Sequence, residues 1–245
     1  MTQGRPTFRE RLRALRTFPP GLPPFGVDLD DLSSAPAAPQ DLFGAWLDDA
    51  LAAGVGAPHA ATLSTADTEG RVHARTLALK DVTDDGWWFA GHASSPKGRD
   101  LEANPHASLT FFWRDLGRQV RVTGRATSAG TEAGAADFRA RPDGSRAAGL
   151  VGHQSEPLGS PQEYRDAFAD RLEHARAHPD DAAPTWTAWV LTPVEVEFWQ
   201  ASDDKGQSRL RYRRTPAAGA TRTTPTTPTT HDDTDITWTK ELLWP

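Results

Sequence analysis

The chain of 245 residues contains no cysteine, which removes disulfides, thiolate metal sites and a thiol nucleophile from consideration. Lysine is scarce too: only Lys80, Lys97, Lys205 and Lys240 occur, so arginine carries nearly all of the positive charge. Tyrosine appears twice and methionine once, against nine tryptophans. No apolar run approaches the length of a membrane span. The opening residues MTQGRPTFRERLRALR lack the apolar core of a secretory signal, so a cytoplasmic protein without a membrane partner is expected. A formal net charge of −6 argues against a nucleic-acid partner, because neutralising phosphates leaves a basic footprint. The length suffices for one large domain or two small ones.

Strands dominate what is present. Residues 104–126, NPHASLTFFWRDLGRQVRVTGRA, read as a β-hairpin. Its first strand turns Leu109, Phe111 and Trp113 one way, and its second sets Val120 and Val122 against Gln119, Arg121 and Thr123. The polar face is either solvated or a wall for a planar, anionic ligand. Further strands are read in HAATLST, RVHARTLALK, GWWFAGH, WTAWVL, VEVEFWQ, RLRYRR and ITWTKELLWP. Residues 40–53 place Leu42, Phe43, Trp46, Leu47, Ala50 and Leu51 on one helical face, with Gly54 as the stop. Short helices are expected from Ser95-Pro96 to about Asn104 and over 131–140. Another starts at Ser160, where SPQE forms a capping box and Tyr164, Phe168 and Leu172 line one side. Residues 1–39 read as an arm outside the core, and the Thr/Pro-rich residues 215–235 as a disordered loop. An antiparallel barrel with peripheral helices fits this order; regular βα alternation is missing.

Four clusters carry chemistry, each with an ordinary alternative. Arg75 and Lys80 bracket a strand and suit an anion, or are simply solvated. Ser94-Ser95-Pro96-Lys97 offers free N–H groups, a hydroxyl and an ammonium to a phosphate, or is a plain N-cap. Arg139, Arg141 and Ser145 lie where a helix end runs into a turn, and suit a second phosphate or the helix dipole. Glu195 and Glu197 face the Arg-rich strand 209–214 and neutralise it across strands.

In order and spacing, RTLALK, SSPKGRDLEANPHASLTFFW, RQVRVTGR, FRARPDGS, HQSEPL, EFWQ, RLRYRR and WTKELLWP resemble the pyridoxine (pyridoxamine) 5′-phosphate oxidase family. The resemblance runs from the helix at residue 40 to Pro245. It implies a mainly β, FMN-binding split β-barrel over 40–245, forming a homodimer through a C-terminal region at about 186–245. Such enzymes oxidise pyridoxamine or pyridoxine 5′-phosphate to pyridoxal 5′-phosphate, with O₂ reoxidising the flavin. Residue by residue, it places Arg75, Thr76, Leu77, Lys80, Ser95, Lys97, Gln119, Gln154, Ser155, Trp199 and Arg209 at FMN. Lys80, Arg141 and Ser145 fall at the substrate phosphate, and no metal is expected.

The departures bear on substrate. Ala90-Gly91 replaces Tyr-Thr, Pro96 replaces an Arg of the flavin-phosphate motif, and Asp137 replaces a Tyr at the substrate phosphate. Aligned without gaps, the family's Arg and His over the substrate ring become Lys205 and Gln207, the catalytic candidates here. Gln207 cannot titrate. Three readings follow: an oxidase of the B6 phosphate esters, an FMN oxidase of another small ring as in phenazine pathways, or a non-catalytic binder of FMN or pyridoxal phosphate.

Overall fold

The computed structural model describes residues 5–202, 206–215 and 237–245. In chain order its elements are α1 (Phe8–Arg13), α2 (Pro39–Ala52), β1 (Ala60–Ala66), β2 (Val72–Ala78), β3 (Asp81–Thr83), β4 (Gly86–His92), α3 (Pro96–Ala103) and β5 (His106–Trp113). There follow β6 (Arg118–Ser128), α4 (Thr131–Arg139), α5 (Asp143–Val151), α6 (Pro161–Ala177), β7 (Trp186–Ala201), β8 (Gln207–Thr215) and β9 (Thr237–Leu242). The strands form one antiparallel sheet ordered β2-β1-β5-β6-β7-β4-β3, while β8 pairs with β7 and β9.

Three partners share β7, and this fork curls the sheet into a split half-barrel. Residues Trp186–Leu191 pair with β4 and Glu195–Ala201 with β8, while β6 runs along both halves. At the fork the β6–β7 register slips between Thr123 and Gly124. A Cβ on Gly124 would lie 2.1 Å from the Thr192 carbonyl oxygen, so only glycine allows this approach. Pro193 sits opposite Gly124, at the irregularity where a missing N–H is tolerated. The sequence pattern splits this region into two strands because Pro193 reads as a break; the structure has one strand of 16 residues.

Alternation on β5 and β6 is as expected. Leu109, Phe111, Trp113, Val120 and Val122 are buried, and Gln119, Arg121 and Thr123 occupy the opposite face. Helix α2 fills the barrel. The Phe43 ring lies 4.9 Å from Phe111 and 5.7 Å from Trp87, and Trp46 lies 5.2 Å from Phe198. Each such aromatic burial adds a few kcal/mol, roughly 1.5–3. Gly54, at φ +71°, ends the helix as expected: its N–H bonds to Leu51 O and that of Val55 to Ala50 O. Leu51 is the exception on the predicted apolar face, being largely exposed.

Buried Arg118 joins α2 to the sheet. It stacks over Trp46 at 4.4 Å and donates to Gln200 Oε1 (2.9 Å), Asp49 Oδ2 (2.7 Å) and Pro24 O (3.0 Å).

Three regions depart from the sequence reading. Within the N-terminal segment, Phe25 and Ala35 join the core, and Phe25 O accepts from Trp46 Nε1 at 2.9 Å. The turn expected at 142–145 is instead the start of α5: Pro-Asp-Gly reads as a turn, but the alanines after Ser145 continue a helix. Helix α6 starts at Ser160 as predicted, yet Glu163 Oε2 accepts from Gly159 N (3.1 Å) rather than completing the box. Its Tyr164 remains exposed, and only Ala175 is buried. Lys205 and residues 216–235 of the expected disordered loop lie outside the described residues.

Candidate active site

Two features of the sheet converge on a site for a planar anion. The first is a cross-strand row on the face opposite the core: Gln119 pairs with Trp199, and Trp199 with Arg209. An amide, an indole and a guanidinium from three strands are thereby placed side by side. Trp199 Nε1 donates to Gln207 Oε1, which ties Gln207 to this row. Arg209 donates to Glu197 Oε1 (2.9 and 2.8 Å, from Nε and Nη2) and to Trp244 O (2.9 Å). Buried Glu197 also accepts from Arg121, and Glu195 faces Arg211 at 3.4 Å, so these carboxylates do neutralise the Arg-rich strand.

The second feature is a pair of cations. Ser95 caps α3 in the ordinary way, accepting from Gly98 N, and its Oγ also accepts from Lys97 Nζ at 3.0 Å. The Lys97 side chain lies against Gly91, where an added Cβ would come within 2.6 Å of Cε, so a larger residue there would shift the end of the lysine. From β2, Arg75 donates to Thr65 Oγ1 at 2.8 Å. Burial first, and then the neighbouring Arg75, hold the Lys97 ammonium below the usual lysine range. Burial likewise lowers Arg75, with Asp100 opposing. Two partly desolvated cations acting on each other define a place for a dianion, so the donor set fits the phosphate of FMN.

Other predicted residues fall around these features. Thr76 lies on the exposed face of β2, whereas Leu77 packs against the core, leaving only its backbone for an external ligand. Gln154 and Ser155 follow α5, and no hydrogen bond joins them to the two features among the described residues. Ser155 (φ 68°) and its neighbour His153 (φ 59°) both hold left-handed backbone, a strained conformation of the kind that clusters at ligand sites.

The predicted substrate clamp is rearranged. Lys80 Nζ pairs with Asp137 Oδ1 at 3.2 Å, and Trp186 Nε1 donates to Asp137 Oδ2 at 2.8 Å. Asp137 faces inward, beside Lys80, Thr83, Trp88, Phe89 and Ala133, onto a cavity of about 150 Å³. Arg141 lies over the Trp186 ring at 4.1 Å, and its Nη1 is buried without a partner. Ser145 is on the first turn of α5. Sequence reasoning missed Trp186 and His92. His92 is buried, edge-on to Trp186 at 5.0 Å, and its Nδ1 meets Thr185 Oγ1 at 2.8 Å. The only signal for either was an aromatic or imidazole at a strand end.

Fold and site define a split-barrel flavin protein. The profile of the pyridoxamine 5′-phosphate oxidase family matches residues 47–200, and that of the pyridoxine 5′-phosphate oxidase C-terminal dimerisation region matches residues 186–245. The pyridoxine/pyridoxamine 5′-phosphate oxidase of Bordetella petrii is 39% identical over 73% of this chain and 84% of its own. The protein of that name from Rubrobacter xylanophilus is 37% identical over 70% and 79%. PhzG from Burkholderia lata, solved with tetrahydrophenazine-1-carboxylic acid, superposes with a TM-score of 0.74 at 28% identity, over 90% of this chain and 98% of its own. The chain belongs to the pyridoxamine 5′-phosphate oxidase family, and is an FMN-dependent oxidoreductase of that type.

Proposed function

We propose that this protein oxidises pyridoxamine or pyridoxine 5′-phosphate to pyridoxal 5′-phosphate, with O₂ as the acceptor. The observation that carries this reading is the Gln119–Trp199–Arg209 row together with the Arg75–Ser95–Lys97 anion site. The names of the relatives support the substrate. When bound, FMN supplies the two-electron acceptor. Arg75 and Lys97 would hold its phosphate, Gln119 would serve its heteroatoms as donor and acceptor, and Trp199 would offer apolar area at a ring edge. Arg141, with its unpartnered Nη1, holds the anionic group of the substrate. In the overall reaction an alcohol carbon gives up hydride and its oxygen a proton, and O₂ takes up both as hydrogen peroxide. An amine substrate also consumes water and releases ammonia. Gln207 orients through its amide and moves no proton, so the chain contributes mainly positioning and electrostatics.

A specific observation favours a second reading. Asp137 already occupies Lys80, which leaves the clamp one net positive charge rather than two. That suits a ring bearing a single negative charge, such as a ring carboxylate, better than a phosphate dianion. The two readings separate in one anaerobic experiment: pyridoxamine 5′-phosphate or a reduced phenazine carboxylate is added to the FMN-loaded protein. Rapid flavin bleaching by the phosphate ester, with pyridoxal phosphate formed, supports the first; bleaching by the carboxylate alone supports the second. A chain that cannot be loaded with FMN would overturn both. We further infer a homodimer built through the C-terminal strands, where Leu242 and Trp244 present exposed apolar surface.

A further inference from the structure

We propose that His174, His178 and Asp181 form a binding site for a divalent transition ion of the zinc class, which pins the C-terminal end of α6. The sequence reading expected no metal, and the site is separate from the flavin and substrate features.

Three observations carry the proposal. The two histidines are one helical turn apart and share a face, and each of the three residues offers a ligand atom within 4.8 Å of the other two. His174 Nε2 already lies 2.9 Å from Asp181 Oδ2, so a metal could replace the proton between them.

The second observation is the setting of His178. Its Nδ1 lies 3.1 Å from His174 O. A carbonyl only accepts, so Nδ1 is the donor here and Nε2 is the nitrogen left to meet an ion. Fixing the tautomer through the distal nitrogen is the support that metal-bound histidines require. Buried Arg146 donates to His178 O at 2.6 Å and holds this backbone in place.

The third observation is charge: the carbonyl end of helix α6 favours a cation. Two imidazoles and one carboxylate suit Zn²⁺, Ni²⁺ or Cu²⁺ better than Mg²⁺ or Ca²⁺, with water completing the shell. Four residues after Asp181 come Thr185, on His92, and then Trp186, on Asp137. An ion here would therefore stiffen the strand entry that forms one wall of the substrate site.

The test is calorimetric titration of the chelator-treated full chain with Zn²⁺, read beside thermal melting. The expected result is one ion per chain with micromolar affinity, no response to Mg²⁺, and a melting temperature raised by about 5 °C at saturation. The H174A/H178A double variant should bind at least about tenfold more weakly and lose the thermal shift. D181N, which preserves the shape of the side chain, should weaken binding in the same sense and serves if the double variant does not fold. Absence of saturable Zn²⁺ binding in the wild type, or unchanged affinity in both variants, would overturn the proposal.

Discussion

At Lys97 the local electrostatics give a testable sign. Its ammonium is held below the lysine range by burial and by Arg75, and a bound phosphate would raise it again. Protons are therefore taken up when FMN binds, and affinity should fall as pH rises through the free-state value, below the ordinary lysine range. Quenching of flavin fluorescence, followed from neutral pH up to the lysine reference of about 10.4, measures this. K97R should abolish the alkaline fall, because arginine stays charged, while K97A should weaken FMN about 10–100-fold at neutral pH. An affinity flat with pH in the wild type would remove Lys97 from the phosphate site. Asp137 makes a second residue-scale prediction: D137N frees Lys80 and should raise kcat/KM for a phosphorylated substrate about tenfold relative to its unphosphorylated form. Steady-state comparison of pyridoxamine with its 5′-phosphate reads that ratio, and an unchanged ratio would separate Asp137 from the substrate. The family resemblance places both residues at the substrate phosphate, but that Asp137 turns onto Lys80 shows only once α4 packs on β7.

Among the elements, α2 and the β5–β6 hairpin were legible because each has one apolar face and follows its own period. Gly54 marked the helix end because the left-handed backbone there favours glycine. By contrast β7 misled: Pro193 is a break by local rules, and only the pairing of β6 along both halves shows that the strand continues. Gly124 opposite it is the corresponding weak point. G124A should destabilise the fold by about 3 kcal/mol, through the clash with Thr192 O, and lower the melting temperature by several degrees. Melting like the wild type would show that the fork can widen at little cost. Helix α5 was missed for the opposite reason, since a Pro-Asp-Gly turn signal outweighed a short helical run. Its identity matters because it carries Ser145 and leads into the strained loop at Gln154.

Across the whole molecule, the outer sheet face carries one continuous row from β2 to β9: Thr76, Thr62, Thr110, Arg121, Glu197, Arg211 and Glu241. Charges compensate within it, through Arg121 and Arg209 on Glu197 and Arg211 on Glu241. Phe112, Leu242 and Trp244 add exposed apolar area. Sedimentation should therefore give twice the 26.6 kDa chain mass at micromolar concentration, and a monomer would refute the inferred homodimer. Composition, period and motif order were enough to read a mainly β barrel with peripheral helices and a family, because those depend on neighbours along the chain or on a pattern kept in order. Folding alone turned Asp137 onto Lys80, seated Arg118 over Trp46 and, through the pairing of β6 along both halves, made one strand of two. These depend on segments distant in sequence meeting in three dimensions, where charge and burial are set by packing rather than by sequence spacing.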